Sequence, residues 1–165
     1  MWLSRHTFIV LVLLLAGCGY QLQSYERLPP EMQLTFIQAS DHYSIFYRQL
    51  RKALDDAGIT LTNNPAGATA VLVISGDDTG QRLVTVSAQN QPLEFEVYYN
   101  VSYRVRSGDS DLLPLQTISV LRDYTYDRTI VLGKRNEEEV LREALVRDLV
   151  RQVLRSLNTI GNGAA

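Results

Sequence analysis

From Leu93 to Val105 every second position is apolar or aromatic: Leu93, Phe95, Val97, Tyr99, Val101, Tyr103 and Val105. Between them stand Glu94, Glu96, Asn100, Ser102 and Arg104, continued by Arg106, with Tyr98 the one exception on the polar side. A period of two held this long predicts a strand over 93–106 with one face buried and the other wet. Ser107-Gly108-Asp109-Ser110 reads as a turn, and residues 115–127 as a second long strand returning antiparallel to the first. Upstream, Val71–Ile74 and Leu83–Val86 have extended character, with Gly76–Gly80 between them as a bulge or a turn. Met32–Ile37 alternates as a half-buried strand, and Ile59–Leu61 reads as a short extended piece.

Two segments switch to helical spacing. Tyr43, Phe46, Tyr47, Leu50, Ala53, Leu54 and Ala57 form one stripe, with Ser40 or Asp41 as the N-terminal cap and Gly58 as the stop. Val146, Leu149, Val150, Val153, Leu154 and Leu157 form the other, opposite Arg147, Arg151 and Arg155, in a helix from about Asn136 to Leu157. Asn136 and Glu139 have capping-box spacing, and Glu137–Glu139 favour the positive end of the helix dipole. These elements predict an α+β domain: two amphipathic helices packed on one face of a roughly four-stranded, mostly antiparallel sheet.

The N-terminus follows another logic. Arg5, the apolar run Phe8–Leu15 and the small residues Ala16-Gly17 precede Cys18, which is the layout of an export signal. The run is shorter than the ~20 apolar residues a membrane span requires. Leu15-Ala16-Gly17-Cys18 resembles a lipobox, so residues 1–17 are expected to be cleaved and Cys18 to carry lipid; the alternative is an ordinary signal followed by a chance cysteine. Cys18 is the only cysteine, which excludes an intrachain disulfide. Residues 18–30, with Pro29-Pro30, read as a tether, 31–158 as a single domain, and 159–165 as a disordered tail. Loss of Arg5 moves the formal charge from -2 to -3, far from the basic excess of a nucleic-acid binder.

The search for chemistry returns little. His42 is the one histidine after residue 17, and no Walker loop, G-x-G-x-x-G or G-x-S-x-G occurs, so no catalytic group, metal site or cofactor is expected. Asp77-Asp78 could hold a cation but reads first as a solvated turn. Glu94 and Glu96 share one strand face and suit pairing with arginines on neighbouring strands better than acid–base work. Lys134 and Arg135, with Arg104, Arg106, Arg122 and Arg128, could grip a phosphorylated ligand; the competing reading is solvated charge offset by nearby acids. Tyr98 breaks the alternation on the polar face and is the tyrosine expected at a contact, the others packing in the core or along the sheet.

Cys18-Gly19-Tyr20-Gln21-Leu22 after the lipobox, one strand–helix unit, the long alternating strands and Leu132-Gly133-Lys134-Arg135-Asn136-Glu137 before the last helix together resemble the LptE family of lipopolysaccharide-assembly lipoproteins. Nearly the whole chain takes part in the resemblance. It implies a plug in the lumen of the outer-membrane β-barrel LptD, help in assembling that barrel, and binding of lipopolysaccharide during delivery to the cell surface. Gly19 after the lipidated cysteine agrees with outer-membrane sorting. The family's binding lysine corresponds to Lys134. Its companion arginine falls near Ala88, which is not basic, leaving Arg82 as a substitute or a weaker site. Rival readings are a periplasm-facing, protein-binding lipoprotein of another envelope assembly, a lipid-tethered hydrolase or cell-wall binder, and a structural lipoprotein that meets lipid A incidentally.

Overall fold

The computed structural model describes residues 28–126 and the backbone of 131–162, with side chains in that second stretch over 137–160. The signal segment and Cys18 lie outside the described residues. Five strands, β1 (Leu34–Ala39), β2 (Thr60–Thr62), β3 (Ala70–Val86), β4 (Pro92–Ser107) and β5 (Ser110–Thr125), form one sheet in the order β2-β1-β3-β4-β5. Helix α1 spans Ile45–Asp56 and helix α2 spans Val131–Asn162. The α+β class is as expected, but the sheet has five strands rather than four and is mixed. β1 runs parallel to both β2 and β3, and only β3–β4 and β4–β5 are antiparallel. β2 is three residues long, and a parallel partner leaves no hairpin turn in the sequence to announce it.

β4 carries the core. Val97, Tyr99, Val101, Tyr103 and Val105 are all buried. Phe46 of α1 lies 6.4 Å from Tyr99 between ring centroids, and the Tyr103 hydroxyl is hydrogen-bonded to Ser156 of α2, so both helices meet this face of the strand. The Gly76–Gly80 break is a bulge inside one continuous β3. The register steps between Ile74 and Gly76, leaving Ser75 without an opposite residue on β4.

Ser44 caps α1, not Ser40 or Asp41. Its Oγ accepts from the Tyr47 amide at 3.0 Å, while Asp41 accepts from the Tyr43 amide in a local turn. Tyr43 therefore precedes the helix and is 85 % exposed; the stripe that packs is Phe46, Tyr47, Leu50 and Leu54. Gly58, at φ +84°, ends the helix in the left-handed conformation as expected. Ser44 Oγ also donates to Asp77 Oδ2 at 2.5 Å, and the Tyr99 hydroxyl donates to Asp77 Oδ1 at 2.7 Å. Asp77, first read as part of a solvated turn, instead joins the start of α1 to the bulged strand and the core. Burial, and then this bond to Asp77, holds the Tyr99 hydroxyl far above its ordinary pKa, so it stays a donor.

α2 begins at Val131, more than a turn before Asn136, because Leu132, Lys134 and Arg135 favour helix and only Gly133 resists it. The backbone of Lys134 and Arg135 is thus helical, not in a preceding loop. The helix also runs through the first part of the stretch read as a tail, with Ile160 packed against the core. At the other end, Leu28 packs on the core and Pro30–Met32 forms a 3-10 turn, so the domain starts slightly earlier than residue 31.

Ser44→Ala removes both the α1 cap and a hydrogen bond to Asp77. It is expected to lower unfolding stability by about 1–2 kcal/mol in urea titration.

Candidate functional site: the open face of the sheet

The face of β3–β5 turned away from the helices carries three rows of paired side chains. Asp78 stands opposite Asn100, which stands opposite Ser119; Gly80 opposite Tyr98 and then Leu121; Arg82 opposite Glu96 and then Asp123. Together Asp78, Arg82, Tyr98, Asn100, Ser119 and Leu121 line a shallow concavity. Within it Ser119 Oγ donates to Asn100 Oδ1 at 2.6 Å, and in the next row of the same face the Ser102 and Thr117 hydroxyls meet at 2.9 Å.

Arg82 and Tyr98, singled out separately in the sequence, meet here. The Arg82 guanidinium lies 5.9 Å from the Tyr98 ring centroid, and its Nη2 lies 2.5 Å from Glu96 Oε1. Pairing of Glu96 with an arginine on the next strand is the expected arrangement. Unexpectedly, Glu96 is only 8 % exposed, and Asp123 stands directly opposite it on β5. Its Oε1 has the ion pair but no aligned hydrogen bond. Gly80 makes room for Tyr98: a Cβ at Gly80 would come 2.7 Å from the tyrosine hydroxyl. The ring therefore lies across the glycine and covers backbone that would otherwise be open to water.

The other basic residues are dispersed. Arg122 extends to the helix face and bonds Asp148 of α2 at 2.9 Å, tying sheet to helix. Arg106 approaches Asp111 at 3.9 Å in the other hairpin. Arg128 and the side chains of Lys134 and Arg135 lie outside the described residues. Ala88 sits in the β3–β4 turn, where Ser87 Oγ accepts from the amides of Gln89 and Gln91 and Asn90 adopts φ 57°. Beside this turn Leu83, Val84, Val86 and Leu93 are exposed, giving the hairpin an apolar end. His42 packs edge-on against Tyr47 at 4.9 Å, and among the described residues no cluster suited to a metal ion occurs.

Gly80 is read in the sequence only as the end of a bulge or turn and Leu121 is not singled out; the register identifies both as the neighbours of Tyr98. Arg142 of α2 was also missed; its Nη1 donates to Thr79 Oγ1 at 3.0 Å, and Thr79 Oγ1 in turn donates to the Tyr98 carbonyl at 2.9 Å. The helix layer thus braces the strand segment that carries Tyr98.

Because Arg82 is largely exposed and Glu96 is not, removal of the arginine leaves a carboxylate poorly solvated. Arg82→Met is expected to cost about 1–2 kcal/mol in chemical denaturation, with Glu96→Gln in the same chain restoring most of it. Equal stability of all three proteins would show that the pair contributes nothing.

The family model described as LptE, lipopolysaccharide-assembly, matches residues 33–157. The LPS-assembly lipoprotein LptE of Yersinia enterocolitica serotype O:8 is 27% identical over 93% of this chain and 76% of its own. That of Yersinia pestis strain Pestoides F is 28% identical over 94% and 78%. Among solved structures, the rare lipoprotein B of Shewanella oneidensis superposes with a TM-score of 0.67 at 21% identity, over 76% of this chain and 94% of its own. Lipoprotein B of Nitrosomonas europaea gives 0.72 at 23% identity, over 85% and 90%. The structural likenesses establish the fold, and the match across the folded domain establishes the lineage: the chain belongs to the LptE family of lipopolysaccharide-assembly lipoproteins, a non-enzymatic family.

Proposed function

We propose that this lipoprotein is held at the outer membrane through lipid on Cys18, binds and plugs the lumen of the LptD β-barrel, assists that barrel's assembly, and helps deliver lipopolysaccharide to the cell surface. The observation that carries the reading is the family match over residues 33–157, on a sheet with one face under helices and the other left polar. Barrel lumens are largely polar, so the rows of Asn100, Ser119, Arg82 and Glu96 offer hydrogen-bonding groups without a large apolar patch. A plug needs rigidity more than reactivity, and the ties among Tyr98, Arg82, Glu96 and Thr79 supply it. No helix among the described residues is long and apolar enough to cross a membrane, which is compatible with anchoring by lipid.

On this reading Tyr98 is a contact to the barrel. Lys134 and Arg135, with Arg82 in place of a base near Ala88, meet the phosphates of lipopolysaccharide. A guanidinium or ammonium on a partly exposed surface suits phosphate, and the apolar hairpin end of Leu83, Val84, Val86 and Leu93 suits an acyl-bearing ligand.

Affinity purification of the full-length protein from outer membranes in mild detergent tests the partner. A stoichiometric large β-barrel is expected, and Tyr98→Ala should reduce its recovery several-fold while leaving the melting temperature within a few degrees. Recovery of the chain alone, or with another envelope assembly, would overturn the plug. Lys134→Asp should weaken binding to purified lipopolysaccharide at least tenfold at fixed ionic strength; undiminished binding would remove that residue from the site.

A further inference from the structure

We propose that the outer edge of β5 is a self-pairing edge, at which two copies of this chain join antiparallel about Ile118 into one continuous sheet. β5 ends the strand order, so among the described residues one side of its backbone has no neighbouring strand. Sixteen residues is long for an uncovered edge, and exposed edges of this kind are templates for another strand. The opposite edge, β2, offers only three residues.

The two ends of β5 carry devices that discourage pairing. Pro114 has no amide proton and its carbonyl accepts from the Gln116 side chain at 3.3 Å; the Leu121 carbonyl accepts from Arg122 Nη1 at 3.1 Å; Asp111 and Asp123 lie beyond. Between them Leu115-Gln116-Thr117-Ile118-Ser119-Val120-Leu121 contains no charge, glycine or proline. That window is a strong strand former left undefended.

A second copy is the occupant because the window is complementary to itself when reversed. With Ile118 opposite its own image, Leu115 of one copy faces Leu121 of the other, Gln116 faces Val120, and Thr117 faces Ser119. Leu115 and Leu121 are 60 % and 43 % exposed in the single chain, and this register covers both on each copy. Beyond the window the bulge at Pro114–Leu115 ends regular pairing, so Arg122 and Asp123 of one copy reach only that uncharged bulge on the other and no like charges meet. An unrelated strand would have to reproduce the same apolar ends and polar centre; this chain's own edge already has them. The inference does not rest on the barrel reading, and a chain that pairs in this way when free could still bind a barrel.

The full-length protein in mild detergent tests it, with the wild-type chain as the baseline for its one native cysteine. Opposed Cα atoms in an antiparallel pair lie ~4.5–5.5 Å apart, within disulfide reach, whereas diagonal neighbours at ~7–8 Å are not. Thr117→Cys mixed with Ser119→Cys should therefore cross-link under mild oxidation at least tenfold faster than either variant alone. Thr117→Lys with Ser119→Lys, and Thr117→Glu with Ser119→Glu, should each sediment as monomers with unchanged circular dichroism and pair when mixed. A wild-type chain that is monomeric at every concentration, a lysine variant that dimerises as tightly as wild type, or a cross-link from positions 117 and 119 only to a different protein would each overturn the proposal.

Discussion

Val97, Tyr99, Val101, Tyr103 and Val105 leave β4 on one side and are all covered. A strand sends successive side chains to opposite faces, so that choice fixes where Glu96, Tyr98, Asn100 and Ser102 must go. At roughly 1.5–3 kcal/mol for each large apolar side chain fully buried, a one-residue slip that exposed the whole row would cost about as much as the entire net stability of a typical domain. The helices are drawn to the apolar side, and the polar side is left as a surface. The open face is thus a consequence of core packing: among the described residues both helices lie on the apolar side and none covers the polar one.

The Asp77 carboxylate connects the two layers where that packing is least regular. The bulge at Ser75 lets β3 change direction, and just beyond it Asp77 accepts from both Tyr99 and Ser44. Ser44 in turn accepts from one of the free amides in the first turn of α1, that of Tyr47. A half-buried carboxylate with two hydroxyl donors is well satisfied. It positions the helix over β4, and a purely apolar contact would do so with less directional preference. Together with Arg142 on Thr79 and Arg122 on Asp148, it makes the helix layer a brace for the strands rather than a cover alone.

How far this was legible in the residues depended on whether a feature is local. β4 was readable because period-two alternation is a local signal that held for the full strand. The core face of α2 was readable for the same reason at helical spacing. The parallel pairing of β1 with β2 and β3 was not, since hydrophobic pattern specifies a face and not a neighbour. Asn136 with Glu139 imitates a helix start in the middle of α2, and Ser40 and Asp41 compete with Ser44 as caps on equal chemical terms. Only tertiary context decides between them. For the candidate site, the polar face and the anomaly of Tyr98 were visible. Its proximity to Arg82, and the glycine beneath it, required the register.

That register has a physical cause beyond the alternation. A slip of two residues between β3 and β4 keeps every apolar side chain on the core face, so the hydrophobic pattern alone does not forbid it. The open face does. If Arg82 moved opposite Glu94, Asp78 would stand opposite Tyr98 and Gly80 opposite Glu96. The ring would then meet a side chain where it now lies against a bare backbone, and the largely buried Glu96 carboxylate would lose the Arg82 guanidinium. A slip in the other direction sets Arg82 opposite Tyr98 and Gly80 opposite Asn100, which again removes the glycine from beneath the ring and the arginine from Glu96. Gly80 under Tyr98 and Arg82 against Glu96, together with the Tyr99 bond to Asp77 on the core side, therefore select one register from those the hydrophobic alternation alone allows. The same residues that make the open face distinctive as a binding surface are the ones that hold the long hairpin in place. A side chain added at Gly80, or loss of Arg82, acts on the geometry of the face as well as its chemistry, whereas Tyr98→Ala removes the ring and leaves the glycine and the ion pair in place.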